Sequence, residues 1–195
     1  NAPWPKLSVV YRNITEVHFR LVPADWNKLR EKNFRLSKKE DRQALLKRKP
    51  VKSWRHDLPP TADYKQRTEL FPVPDDVKPG FYFLISSVDA SFRENNNQTQ
   101  TATVWISDLS LVVRSRANRL EGFVVEGNSG DPVADAQVDA WLLGNRGKYV
   151  KKTGTTDQSG VFSIQRARNQ YQGFVLAQHN GRQVGTTRRN NYWGG

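Results

Sequence analysis

Residues 120–164 read LEGFVVEGNSGDPVADAQVDAWLLGNRGKYVKKTGTTDQSGVFSI, and this stretch decides the fold. Two turn sequences, GNSGDPV at 127–133 and TDQSG at 156–160, supply the Gly, Pro, Asp and Ser residues that favour tight turns. Between them, small and apolar residues such as Val138 and Ala140 alternate with polar ones at a period of two. That alternation is typical of antiparallel strands with one buried face, so the stretch predicts a β-sandwich.

The same strand pattern continues on both sides of this stretch. In residues 15–22, Val17, Phe19 and Leu21 alternate with polar residues, which predicts a strand with one solvated face. Because the apolar phase slips by one residue near Ser107, we predict a β-bulge within one long strand. The other predicted strands are residues 7–11, 51–58, 64–70, 80–88 and 100–113, with a closing hairpin at 171–187.

The predicted strands fall into two sets, separated by the polar, Arg-rich segment at residues 114–119. Domain boundaries fall in such polar segments, where few contacts cross. We therefore predict an all-β chain of two tandem antiparallel β-sandwich domains, residues 1–116 and residues 117–195. The second domain ends in a C-terminal tail that has no strand pattern beyond Arg188.

The strand pattern of the first domain is interrupted near residues 26–50. Residues 28–55 contain 12 Lys and Arg against three Asp and Glu, a net charge of +9 in a chain whose total is +12. Ser37 and Glu40 have the spacing of a helix capping box, which predicts a short helix at 38–48. We predict a basic helical insertion that lies on the sandwich surface with only slight packing beneath it.

Residues that carry chemistry are sparse. The chain has no Cys, its three His are not at metal-ligand spacing, and Gly-rich phosphate loops are absent. The carboxylates Asp131, Asp135 and Asp139 are predicted to be solvated turn and edge groups. The sequence therefore predicts no catalytic residue, no metal site and no cofactor, in a protein that is not an enzyme. No apolar run in the sequence is long enough to span a membrane.

The basic insertion supplies the strongest candidate for binding. Exposed positive charge attracts polyanions and anionic membrane surfaces through the same long-range field. The flanking Trp26, Phe34 and Trp54 are expected to anchor the insertion to the sandwich rather than to stack on bases, so no specific nucleic-acid partner is expected. The candidate anion-binding residues are Lys38, Lys39, Arg42, Lys47, Arg48 and Lys49.

The turn motifs and their order also resemble a known family. GDPVADAQV followed by TDQSGVF is similar to macroglobulin domains and to related sandwiches of the carboxypeptidase-regulatory, fibronectin-III and transthyretin types. In the first half, successive pieces resemble a macroglobulin-like domain: WRHDL at 54–58, DYK at 63–65, VKPGFYFLI at 77–85 and VWISDL at 104–109. Together they resemble tandem macroglobulin-like domains from the amino-terminal part of bacterial alpha-2-macroglobulins.

The resemblance implies a non-catalytic scaffold fragment of a protein that inhibits or traps proteases. Its partners would be the other domains of the parent chain and, through the full-length protein, target proteases. The implied location is the bacterial periplasm or cell envelope, where the parent protein could carry a lipid anchor. Secretion is the alternative location. Because the chain begins at Asn1 and contains no Met, we expect an excised fragment or a processed mature terminus.

A second interpretation stays open, in which the chain is an extracellular adhesive module or a β-sandwich that binds glycans or polyanions. Tandem sandwiches also serve as stalks and carbohydrate receptors. This interpretation predicts an exposed aromatic platform formed by Trp141 with Tyr149, and binding that the isolated chain retains.

Overall fold

The computed structural model describes residues 6–31, 34, 36–61, 63–93, 97–144, 147–170, 172–186 and 190–191. The strands are β1 (Lys6–Tyr11), β2 (Glu16–Ala24), β3 (Lys52–Asp57), β4 (Arg67–Pro72), β5 (Gly80–Ser87), β6 (Thr99–Ile106), β7 (Leu109–Arg116), β8 (Arg119–Glu126), β9 (Gln137–Leu143), β10 (Tyr149–Thr155), β11 (Val161–Gln165), β12 (Gln172–His179), β13 (Arg182–Gly185) and β14 (Asn190–Asn191), and the helices are α1 (Trp26–Glu31) and α2 (Lys39–Leu46). The all-β prediction is therefore confirmed. The chain divides into two compact units, Pro3–Val104 and Trp105–Gly195.

In the first unit, a two-stranded sheet and a four-stranded sheet enclose one core. The two-stranded sheet pairs β1 with β4, and the four-stranded sheet has the order β3-β2-β5-β6. The buried residues between them include Tyr11, Val17 and Phe19, because alternate residues of β1 and β2 face inward. The Trp54 ring stacks on Phe19 with ring centres 5.2 Å apart, which extends this core to the edge strand β3.

His56 is a core residue of this sandwich. Its ring stacks on Phe71 with centres 4.0 Å apart and meets the edge of Phe19 at 6.1 Å. Burial lowers the pKa of His56, because an apolar environment disfavours the charged imidazolium, and the nearby Asp57 carboxylate only partly offsets this. The His56 ring therefore packs as part of the aromatic core.

The four-stranded sheet is covered on its other face as well. Val22 and Ile85 point away from the sandwich core and are nevertheless buried. Trp26 of α1 meets the edge of Phe81 at 5.1 Å, and Phe34 lies 5.3 Å from Phe83. The insertion is therefore a layer that covers the sheet, and the prediction of slight packing is wrong.

The two helices of the insertion differ from the prediction, because α2 lacks the predicted capping box and α1 is not predicted. In α2 the N-cap residue is Lys38, and no side chain caps this end, so the capping box at Ser37 and Glu40 does not form. The sequence pattern gave no prediction of α1, although its signal is present. Asp25 Oδ1 accepts a hydrogen bond from the Lys28 N–H at 3.1 Å, which is the geometry of an N-cap.

The second unit is a sandwich of two sheets, ordered β11-β8-β7 and β10-β9-β12-β13, with β14 also paired to β12. Its core draws alternate residues from both sheets. Small residues on β9 and β12, such as Ala140 and Ala177, are fully buried in this core. The fully or almost fully buried residues of this core are Leu120, Val124, Ala136, Val138, Ala140, Leu142, Phe162, Ile164, Val175 and Ala177.

The TDQSG turn holds the second unit together through three of its residues. The Thr156 hydroxyl donates to the Val133 carbonyl at 2.7 Å and accepts from the Ala136 N–H at 2.8 Å. Asp157 Oδ1 accepts from the N–H of the residue two positions on at 2.9 Å, which is the geometry of an Asx turn. Gly160 has φ +71, and a Cβ there would lie 2.6 Å from the Val124 carbonyl, so only glycine fits.

The predicted long strand at 100–113 is two strands in different sheets. Strand β6 ends at Ile106, and β7 begins at Leu109 and pairs with β8 along its whole length. The predicted bulge is therefore wrong. A chain that passes from one sheet to another shows the same one-residue slip in its apolar pattern as a bulged strand does, so the pattern alone cannot separate the two. The Arg-rich segment at 114–119 is the β7–β8 hairpin, with Ala117 at φ 48, and the two units divide between Val104 and Trp105 instead.

We expect Leu45→Ala to destabilise the first unit by about 2–5 kcal/mol, because Leu45 is 1% exposed and its loss leaves a cavity. The matched control is Leu46→Ala, at a half-buried neighbour on the same helix, with a clearly smaller loss. Urea denaturation followed by NMR cross-peaks of the first unit measures both. Equal losses for the two variants would show that α2 does not pack through Leu45.

Candidate interaction surfaces

The predicted anion-binding residues surround α2. Lys38, Lys39, Lys47, Arg48 and Lys49 are exposed at its two ends, as expected for a solvated basic surface. Arg42 differs, because it is half-buried and its guanidinium donates to the Leu36 carbonyl at 3.3 Å. We call the five exposed residues the basic cluster. Arg42 belongs instead to the packing of the insertion.

The basic cluster is divided between the two ends of α2, and the helix dipole acts differently on the charges at each end. Lys47, Arg48 and Lys49 follow the C-terminus of α2, where positive side chains interact favourably with the exposed carbonyl groups of a helix. Lys38 and Lys39 lie at the N-terminus, where the helix dipole already presents positive charge. That end has Glu40 and Asp41 in its first turn as compensation. Positive charge is therefore displayed at both ends of one short helix.

The three aromatic residues that flank the insertion are all packed within the first unit, but on two different faces of the sheet. Trp26 is buried against Phe81, and Phe34 packs on Phe83. Trp54 lies in the sandwich core against Phe19. Trp26 and Phe34 therefore anchor the insertion as expected, whereas Trp54 packs on the opposite face of the sheet and does not.

In the second unit, Trp141 and Tyr149 share the outer face of the sheet, since Lys151 stands opposite Trp141 and Tyr149 stands opposite Leu143. The Lys151 ammonium lies 5.3 Å from the centre of the Trp141 ring. Tyr149 is 39% exposed, and its ring tilts against Phe174 at 5.9 Å. The two rings therefore lie on the same packed face of the sheet, and the Lys151 side chain covers one side of the Trp141 indole.

Asp139 is buried, contrary to the prediction that it is a solvated edge carboxylate. The residue is 1% exposed, accepts a hydrogen bond from the Thr153 hydroxyl at 2.7 Å, and forms an ion pair with Lys151 at 3.0 Å. A buried carboxylate is stable only when it is paired and hydrogen-bonded in this way. Alternation along β9 could not reveal it, because the pairing groups belong to β10, a strand that the sequence pattern did not predict.

Arg182 connects the β12–β13 hairpin to the opposite sheet of the second unit. Its guanidinium donates two hydrogen bonds to the Glu126 carboxylate, at 2.7 and 2.8 Å, and a third to Asp108 at 3.3 Å. The hydrogen bonds that Arg182 donates to Glu126 and Asp108 raise the pKa of Arg182 further above its usual value. Two carboxylates therefore neutralise this charge, and Arg182 acts as a cross-link rather than an anion site.

The described residues offer neither a metal-binding cluster nor a membrane-spanning helix. No group of three or more His, Cys, Asp or Glu side chains that could hold a metal ion occurs in that part of the chain. None of the helices in the described ranges is long and apolar enough to cross a membrane.

Comparison with known proteins gives similarity in structure only. No family model matches the chain, and no curated protein sequence matches it. A crystal structure of native alpha-2-macroglobulin from Escherichia coli, spanning domains NIE-MG1, superposes with a TM-score of 0.67 at 18% identity, covering 92% of this chain and 86% of that one. A second crystal structure, spanning domains MG0-NIE-MG1, gives 0.66 at 21% identity and covers 93% and 58%.

The chain therefore has the fold of macroglobulin-like domains from a bacterial alpha-2-macroglobulin. It spans somewhat more than half of the MG0-NIE-MG1 fragment, at 58%. An electron-microscopy reconstruction of Escherichia coli alpha-2-macroglobulin in its native conformation gives a TM-score of 0.47, with 92% of this chain and 11% of that one covered.

We expect the basic cluster to retain the chain on a heparin column at low salt. Because exposed charges are screened over about 10 Å at 0.1 M ionic strength, retention should fall steeply as salt rises. Replacing the five residues of the basic cluster by Gln should abolish retention and leave the fold intact. The matched control replaces five other exposed residues by Gln, with the same change in net charge: Lys6, Arg12, Lys65, Lys78 and Lys148.

The comparison of the two variants decides the outcome. Loss of retention only in the basic-cluster variant supports a localised surface. Equal loss in both variants would show that total charge alone controls binding and would contradict a specific role for the insertion.

Proposed function

We propose that this chain is a non-catalytic scaffold segment of a bacterial alpha-2-macroglobulin-like protein that inhibits or traps proteases. The observation that carries the proposal is the agreement in fold over 92% of the chain with the NIE-MG1 segment. Two consecutive units agree in their order along the chain, which is a stronger similarity than one sandwich would be, since single sandwich domains serve many functions.

The construction of each unit supports a mechanical role. The cores of both sandwiches are closed, and Arg182 ties the two sheets of the second unit through Glu126 and Asp108. Such units resist deformation, because packed cores rearrange between discrete states and do not stretch continuously. In a protein that collapses around a protease after cleavage of an exposed bait segment, rigid units of this kind would transmit the movement.

The proposed partners follow from this role. The other domains of the parent chain would contact the segment directly, and target proteases would be reached only through the full-length protein. The proposed location is the periplasm or cell envelope, where proteases threaten the cell surface. Within that setting, the basic cluster would face polyanions or an anionic membrane surface.

The full-length parent protein tests the proposal. After incubation with a broad-specificity protease, we expect the parent to become more compact by small-angle X-ray scattering. We also expect the bound protease to keep its activity on a small peptide substrate and to lose activity on a large protein, because a trap blocks access and leaves the catalytic residues free.

The isolated chain is the control for this experiment. It should neither inhibit the protease nor hydrolyse peptide, ester or glycoside substrates. Inhibition by the isolated chain, or a parent protein that is cleaved without compaction or protection of the protein substrate, would contradict the proposed scaffold role.

A further inference from the structure

A polar groove of about 300 Å³ lies in the second unit, beside the turn of the β12–β13 hairpin. This volume is at the lower end of ligand sites in proteins, so the groove suits a small ligand. Asn180 and Gly181, both with positive φ, form the turn. The groove is lined by Asp135, Gln137, Gln178, His179, Asn180, Gly181, Arg182 and Gln183.

The buried Asp139 fixes the orientation of one amide of the groove. A carboxylate only accepts hydrogen bonds, so the side-chain nitrogen of Gln137 must be the atom that faces it. The observed distances are 3.2 and 3.1 Å to the two carboxylate oxygens. The Gln137 Oε1 atom is therefore turned away from Asp139 and is offered as an acceptor.

A second amide is oriented by a relay to the same carboxylate. Gln178 Nε2 lies 3.5 Å from Asp139 Oδ2, and Gln178 Oε1 accepts a hydrogen bond from Gln183 Nε2 at 2.7 Å. The N–H donors of this relay all point toward Asp139. The Oε1 atom of Gln183 therefore lies at the end of the relay that is farthest from Asp139. The groove thus displays two amide oxygens in a fixed orientation, together with the exposed Asp135.

Donors are supplied from the hairpin. Arg182 has no acceptor atom, so its 3.2 Å contact with His179 Nδ1 makes that nitrogen the acceptor and places the proton of the neutral ring on Nε2. Asn180 adds an exposed amide at the turn. The charge of Arg182 itself is already neutralised by Glu126 and Asp108. The groove therefore mixes donors and acceptors without free positive charge.

We propose that this groove binds a neutral polyhydroxyl ligand, a sugar. Each sugar hydroxyl both donates and accepts hydrogen bonds, so neighbouring hydroxyls match a groove lined by both amide oxygens and N–H donors. Anions are disfavoured, because Asp135 is exposed and Arg182 is paired. This activity goes beyond the scaffold role and does not depend on it, since the groove is built within the second unit.

The test is an NMR titration of the whole chain, labelled with ¹⁵N, with maltose and with N,N′-diacetylchitobiose as probes. Arginine amide and sulfate serve as the cationic and anionic comparisons. We expect saturable shifts from at least one sugar, at millimolar concentrations, in the backbone amides of residues 135–137 and 178–183. Neither comparison ligand should reproduce these shifts.

Two variants test the residues that make the groove. Gln183→Ala removes an oriented oxygen, and Asn180→Gly removes the side-chain amide while glycine keeps the positive φ of the turn. Each should weaken sugar binding about three- to tenfold, the usual effect of one hydrogen bond. The matched control is Gln165→Ala, at an exposed position of β11 outside the groove, which should not change the affinity.

Several results would overturn the proposal. They are no saturable shift with either sugar, shifts outside the groove, unchanged affinity in Gln183→Ala and Asn180→Gly, or shifts with arginine amide alone. None of these results bears on the proposed scaffold role, which is tested separately by the compaction of the parent protein.

Discussion

Leu21 and Val22 are adjacent on β2 and are both almost completely buried, at 0% and 1% exposure. Successive residues of a strand point to opposite faces, so the four-stranded sheet needs a cover on each side. The two-stranded sheet β1-β4 covers the face of Leu21, and the helical insertion covers the face of Val22 through Trp26 and Phe34. The insertion between β2 and β3 thereby supplies the cover that the second face of the sheet needs.

The same requirement separates two roles within the insertion. Its apolar residues complete a core, while the lysines and arginines at the ends of α2 remain exposed. In the second unit, a comparable separation occurs across one sheet, where Val138 and Ala140 fill the core and Asp139 between them orders polar side chains on the outer face. Both units thus combine a closed core, suited to a scaffold, with an ordered polar surface.

Much of the fold could be predicted from the sequence, because a period of two reports directly which residues face the core. This period predicts that Val17, Phe19 and Val138 face the core, and all three are buried. The one-residue slip of the apolar pattern near Ser107 leads to the wrong prediction of a bulge, since periodicity cannot distinguish a bulge from a change of sheet. The sequence does not predict the groove, because Gln137 is oriented by donating to a buried carboxylate whose other partners lie on another strand. Such partners are set by tertiary pairing, which a single sequence does not display.

The most direct test of this account is whether the insertion covers the sheet in solution. A NOESY spectrum of the chain with selectively labelled aromatic residues measures this. We expect cross-peaks between the rings of Trp26 and Phe81 and between those of Phe34 and Phe83, whose centres lie 5.1 and 5.3 Å apart. Absence of both sets of cross-peaks, in a chain whose Phe19 and Trp54 rings still show theirs, would contradict it.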